Sequence, residues 1–196
     1  MSRFRAVLLP VLMVCLCAPA ALATPVEVTR FHTPESLAQL GNAPLTVIDA
    51  AGSGTGTLES EIWRDAVRQA LTSAGFGSAD NSAKVASVRV ERRTWKPEQD
   101  RERVSVGVGG STGSYGSGLG VGIGINLGGG SREQTETTLS VTIRDMTTGQ
   151  SLWEGRAVQT VRANAKDARA PIAADKLARA LFSGFPGKSG ETIRVK

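Results

Sequence analysis

"TLSVTIRDMTTGQSLWEGRAVQTV", residues 138–161, decides the fold class. Leu139, Val141 and Ile143 alternate with Ser140, Thr142 and Arg144, the period-two pattern of a strand with one face in a core and one in water. The alternation breaks at Thr147-Thr148-Gly149-Gln150, where Gly149 supplies the positive φ of a turn, and an apolar-rich run then returns. The stretch predicts a β-hairpin.

The same grammar extends upstream. In "KVASVRVERR" (84–93), Ala86, Val88 and Val90 point one way while Ser87, Arg89, Glu91 and Arg93 point the other. Val26 to His32 and Leu45 to Ala50 read as the first two strands, with 33–44 between them as loop or a short helical turn. After the connection "AGSGTGT" (51–57), Thr57 caps a helix whose first turn holds Glu59 and Glu61, where the helix dipole favours carboxylates. Leu58, Ile62, Ala66, Val67, Ala70, Leu71 and Ala74 form its three-four stripe, and Gly75 follows as C′ residue. A second helix is expected from about Ala168 to Ser183, with Pro171 in its first turn and Ile172, Leu177, Ala180 and Leu181 as its stripe. "ETIRVK" (191–196) closes the chain as an edge strand. The pattern predicts one α+β domain over 24–196, an antiparallel β-sheet with two helices packed on one face and a glycine-rich β-hairpin inserted at about 104–130.

Residues 1–23 read as a signal peptide. Arg3 and Arg5 precede an apolar run from Ala6 to Cys17, and Ala21-Leu22-Ala23 is the small-x-small pattern of a cleavage site. The run is shorter than the roughly 20 residues of a membrane-spanning helix. Cleavage after Ala23 predicts a periplasmic chain, with association to the outer membrane left open. It also removes both cysteines, and with them any disulfide or thiol nucleophile. Acylation at Cys17 is the alternative, but Leu16 before Cys17 and Val14 before Cys15 are poor substitutes for the small residue that lipidation needs. Arg3 and Arg5 leave with the leader, so the net charge drops from +5 to +3. That mild excess, in an exported chain, speaks against nucleic acid as a partner.

The glycine-rich block holds the least ordinary pattern. In "GSGLGVGIGINLGGG" (116–130), Leu119, Val121, Ile123, Ile125 and Leu127 alternate with glycines and Asn126. Each strand glycine costs about 0.5–1 kcal/mol relative to alanine, whereas each aliphatic side chain contributes about 1.5–3 kcal/mol once buried. Burial wins only if something covers the aliphatic face. Four covers are open: the protein's own core, a partner protein or second copy, a lipid surface, or an oligomeric barrel built from strands of about 9–11 residues. These five aliphatic residues are one hypothetical binding surface. Arg92, Arg93 and Trp95 are the other, in a basic stretch (89–103) interleaved with Glu91, Glu98, Asp100 and Glu102. It reads either as a solvated face or as a contact for anionic envelope polymers or lipid headgroups.

Candidates for catalysis are few. His32 is the single histidine, so no site of two or three His ligands can form, and no motif calls for a cofactor. "GGSTG" around Ser111 matches G-x-S-x-G, yet more glycine follows where that motif needs a helix. Gly52, Gly54 and Gly56 lack the third glycine of a dinucleotide fingerprint, and no Lys-Ser/Thr pair makes a P-loop. The expected role is a non-enzymatic binding or assembly module of the cell envelope. The alternative is an envelope hydrolase using a glycine-rich loop, at Ser111 or at 52–57.

Five segments carry a resemblance to a known family. "VTRFH" (28–32), "LESEIWRDAVRQALTSAGF" (58–76), the glycine-valine block at 104–130, "IRDMTTGQSLWEGRA" (143–157) and "LFSGFPGKSG" (181–190) together resemble the bacterial domain of unknown function 4136. The resemblance implies an exported, often lipid-anchored α+β protein of Gram-negative envelopes and transfers no catalytic residues. The chain departs from the anchored members in lacking a good lipobox.

Overall fold

In a computed structural model, residues 24–53, 56–97, 106–109, 120–123 and 133–196 are described. The hairpin of 138–161 forms as strands β6 (Gln134–Asp145) and β7 (Ser151–Arg162). Gly149 takes φ 75° in the turn between them. Asp145 Oδ1 accepts from the amides of Thr147 (2.8 Å) and Thr148 (3.3 Å), so the turn is held by an Asx contact.

Among the described residues, six strands make one sheet. With β1 (Val26–Phe31), β2 (Thr46–Asp49), β3 (Lys84–Trp95) and β8 (Thr192–Val195), the order is β2-β3-β6-β7-β1-β8. The sheet is mixed, which corrects the wholly antiparallel expectation: β2 runs parallel to β3, pairing Thr46–Asp49 with Val85–Val88. The cause is the connection, since a strand followed by a sixteen-residue helix returns to the sheet in the same direction. The β3–β6 ladder stays in register from Lys84↔Asp145 to Trp95↔Gln134.

Among the described residues, three α-helices rather than two accompany the sheet. The short stretch after His32 becomes α1 (Pro34–Leu40), closed by a reciprocal capping box between Thr33 and Ser36. The other two are α2 (Leu58–Ser73) and α3 (Ala170–Phe182), which pack on one another and on the core face of the sheet. The buried stripe of α2 runs through Trp63, Val67, Ala70 and Leu71, rotated from the expected one; Leu58 stands 77% exposed. On α3, Ala173, Ala174 and Ala178 are buried while Ile172 faces outward, because small side chains allow the two helices to approach closely.

Two features of the core were invisible to the alternation pattern. Arg30 lies on the core face of β1 and is 4% exposed. Its guanidinium donates to the carbonyls of Leu181 (2.9 Å), Ala180 (3.1 Å) and Ser183 (2.7 Å), so a cation closes the C-terminus of α3. Burial lowers its pKa by desolvation. Across the ladder from Arg30 lies Gly155. A Cβ there would sit 2.2 Å from the Trp153 ring and 2.8 Å from Leu181 Cδ1, so the missing side chain is what lets the indole lie over the strand.

The Asp145 turn gives a pH prediction. Asp145 is held below the usual carboxylate range chiefly by the Thr147 amide. A depressed folded-state pKa means a contribution present above the unfolded value and lost as pH falls through the folded one. Stability should therefore drop on acidification below about pH 4, and Asp145→Asn, which keeps the acceptor oxygen, should flatten that part of a melting-temperature profile.

The glycine-rich block is described only in part. Val106–Gly109 (β4) and Gly120–Ile123 (β5) pair antiparallel as a separate ladder, Val106↔Ile123 to Gly109↔Gly120. The signal peptide, Ser111, Leu119, Ile125 and Leu127 lie outside the described residues.

Candidate functional site

The site forms where β2 ends and β3 continues. β2 covers β3 only as far as Val88, whose carbonyl accepts from the Ala50 amide at 2.8 Å. Beyond it the chain turns away through Ala51, whose carbonyl takes a bond from Arg89 Nη2 (2.8 Å). That contact at Val88 also fixes the parity of the strand, because both polar groups of a strand residue point the same way. Val90, Arg92 and Thr94 turn their backbone groups toward the outer side, and Glu91 and Arg93 turn theirs toward β6. On that outer side, no strand among the described residues pairs with β3 between Val90 and Trp95.

Beside this edge lies a cavity of about 240 Å³. Val88, Val90 and Arg92 of β3 form one wall, and Asp49 and Ser53 stand at the end of β2. Thr57, Glu59, Ser60 and Trp63 of the α2 N-terminus close it. Trp63 is 2% exposed, and its indole nitrogen has no hydrogen-bond partner among the described residues. A buried unpaired donor costs about 1–3 kcal/mol, which an acceptor seated in the cavity would recover.

The charges around the cavity are paired internally. Arg64 Nε lies 3.5 Å from Asp49 Oδ1, an ion-pair contact too long for a hydrogen bond, and Arg92 Nη1 lies 3.5 Å from Glu59 Oε1. Thr57 Oγ1 accepts from the Ser60 amide (3.1 Å), while Ser60 Oγ donates to the Thr57 carbonyl (2.8 Å). Both hydroxyls are thereby spent on capping. Glu59 and Glu61 hold the place at the helix N-terminus where a phosphate would gain most from the dipole. This arrangement suits shape-selective binding better than proton transfer or anion capture.

His32 sits elsewhere, at the end of β1, with Nε2 3.1 Å from the Gly187 carbonyl. Among the described residues no group of three His, Cys, Asp or Glu side chains converges as a metal site. No helix among them is long and apolar enough to cross a membrane.

The strand divides the Arg92/Arg93/Trp95 cluster. Arg92 faces the cavity and α2, whereas Arg93 and Trp95 face the open side, opposite Glu136 and Gln134 of β6. Val121 and Ile123 lie in β5, opposite Val108 and Val106, and the other three aliphatic candidates lie outside the described residues. Trp63 and Asp49 were not singled out from sequence. The signal for Trp63 was its position: it stands four residues before Val67 and eight before Leu71, on the stripe that the helix buries.

Comparison with known proteins gives a family. The family described as Domain of unknown function (DUF4136) matches residues 34–187. An uncharacterized protein of Zymomonas mobilis is 43% identical over 63 residues, 32% of this chain and 24% of that protein. The chain thus matches about a quarter of that curated relative's length. Among solved structures, a PelC dodecamer from Paraburkholderia phytofirmans aligns with 84% of this chain and 99% of its own at 14% identity and TM-score 0.46. A PDZ domain protein from Parabacteroides distasonis aligns with 87% of this chain and 39% of its own at 12% identity and TM-score 0.47.

Proposed function

We propose that this chain, which belongs to the family described as Domain of unknown function (DUF4136), is a non-enzymatic binding or assembly module of the bacterial cell envelope. The observation that carries the reading is the outer edge of β3, uncovered by any described strand from Val90 to Trp95 next to the Trp63 cavity. Exposed strand edges are templates for another chain, and charged side chains such as Arg92 and Arg93 restrict which chain can pair. The leader-like residues 1–23 support the envelope location. The aliphatic alternation from Leu119 to Leu127 belongs to the same proposal, because it is carried by the connection between β3 and β6.

A photo-reactive residue in place of Thr94 tests this in cells. The expected result is a protein adduct in the envelope fraction, on a chain that starts at Thr24. No adduct, or recovery of the uncleaved chain in the cytosol, contradicts the reading. The hydrolase alternative is tested separately with ester and phosphoester substrates. No turnover above buffer is expected, and turnover abolished by Ser111→Ala would overturn the non-enzymatic role.

A further inference from the structure

We propose that the partner at the β3 edge is an extended peptide that seats a primary-amide side chain, glutamine or asparagine, in the cavity beside Trp63. The inference rests on the binding reading above and deepens it by naming the partner's chemistry.

The argument comes from what the cavity leaves unspent. Trp63 lines it with an indole nitrogen that has no acceptor among the described residues. Asp49 lines it too, with a side chain only 11% exposed, and its ion-pair partner Arg64 Nε stands at 3.5 Å. That contact is not a hydrogen bond, so the carboxylate keeps its acceptor sites. Glu59 adds a second negative charge, balanced by Arg92. The cavity thus offers one donor and one carboxylate, both largely withdrawn from water. A partner carboxylate would accept from Trp63 but meet the charges of Asp49 and Glu59. An ammonium or guanidinium would suit Asp49 but brings Trp63 only further donors. An aliphatic chain leaves both groups unpaired. A hydroxyl must serve both from a single atom. A primary amide carries an acceptor oxygen and an N–H donor on separate atoms and no charge, so one group answers Trp63 and Asp49 together. Val88 and Val90 supply apolar wall for its methylene stem. The volume of about 240 Å³ is the space of roughly eight waters, room for one such chain.

The edge decides where that side chain comes from. Val88, Val90 and Arg92 lie on the cavity side of β3, and residues opposite one another on paired strands point to the same side of a sheet. A peptide residue set across from Val90 or Arg92 therefore presents its side chain to the cavity. Its neighbours present theirs to the open face, where Glu91 and Arg93 lie. The outward amides and carbonyls of Val90, Arg92 and Thr94 supply the main-chain bonds. Pairing stops short of Arg89, whose Nη2 is held by the Ala51 carbonyl, and of Val88, whose carbonyl is held by the Ala50 amide. Main-chain pairing then gives affinity, and the cavity gives the preference for one side chain.

Fluorescence anisotropy of the purified chain with labelled peptides of the pattern Thr-Val-X-Val-Thr tests the assignment. The peptide with glutamine at X should bind at least about tenfold more tightly than those with glutamate, lysine or leucine, since each of these leaves a buried group unpaired or opposed by like charge. Trp63→Phe, which keeps an aromatic ring and removes the donor, should erase most of the preference for glutamine over leucine. In a nitrogen-15 spectrum, the indole proton that this variant lacks should move downfield as the glutamine peptide is added. Equal binding of the glutamine and leucine peptides to the wild-type chain, a comparison that needs no variant, overturns the proposal. So does an indole proton of Trp63 that stays in place at saturation. If none of the peptides binds while position 94 still yields a protein adduct, the amide assignment is overturned and the binding edge stands. Failure of both experiments removes both.

Discussion

Arg30→Ala is expected to lower the unfolding free energy by about 3–5 kcal/mol, because two buried carbonyls are left without a donor at about 1–3 kcal/mol each and a third loses a charged one. Three carbonyls of the α3 C-terminus lose their donor at once, at 2.7–3.1 Å, and little water can reach two of them in the wild-type packing. Gly187 lies against the same side chain, since a Cβ there would come 2.5 Å from Arg30 Nη1. The loop after α3 and the last turn of the helix should therefore loosen together. Chemical denaturation measures the loss. Arg30→Lys should recover only part of it, because one ammonium cannot reproduce the spread of a guanidinium across three acceptors. A loss under about 1 kcal/mol for Arg30→Ala would mean that the carbonyls find other donors.

Trp153→Ala should cost a similar amount, about 3–5 kcal/mol. The indole is 1% exposed, stacks on Phe182 with centroids 5.2 Å apart, meets Phe185 at 5.3 Å, and donates from Nε1 to the Pro186 carbonyl at 3.2 Å. It links β7 to the end of α3 and to the loop beyond. Gly155→Ala reaches the same ring from the other side. Its new methyl would fall inside the Trp153 and Leu181 contacts and should destabilise by about 1–3 kcal/mol. The two effects should not add. Once Trp153 is alanine, the space over position 155 opens, and the second substitution should become nearly neutral. Thermal or denaturant melts of the two single variants and the double variant provide the cycle; additive losses would show that the glycine matters for another reason.

Both effects lie in residues whose role the linear pattern hid. The β6–β7 hairpin was legible because Leu139, Val141 and Ile143 keep strict alternation and Gly149 marks the turn. The second helix of the sheet's cover, α3, was legible through Pro171 and Gly184 at its ends. Parallel pairing of β2 was not, because a four-residue strand carries no direction in its own pattern; the direction comes from the helix that follows. Arg30 defied the alternation because a buried cation is satisfied by carbonyls distant in sequence. For the binding site, the basic bias of 89–103 was visible, but the division of its strand part between two faces follows only from the ladder with β6. The cavity depends on where β2 stops and α2 starts, a tertiary fact. Trp63 reads as one more core residue until its unpaired nitrogen is found beside Val90 and Arg92.

Amide hydrogen exchange along β3 tests most directly whether its outer edge is the surface on which a partner pairs. In dilute, monomeric chain, the amides of Val90, Arg92 and Thr94 should exchange rapidly while those of Glu91 and Arg93, bonded to β6, stay protected. In the presence of a detergent extract of the envelope, the three fast amides should become protected as well. If Val90, Arg92 and Thr94 are already as slow as their neighbours in the monomer, the edge is covered from within and the account is contradicted.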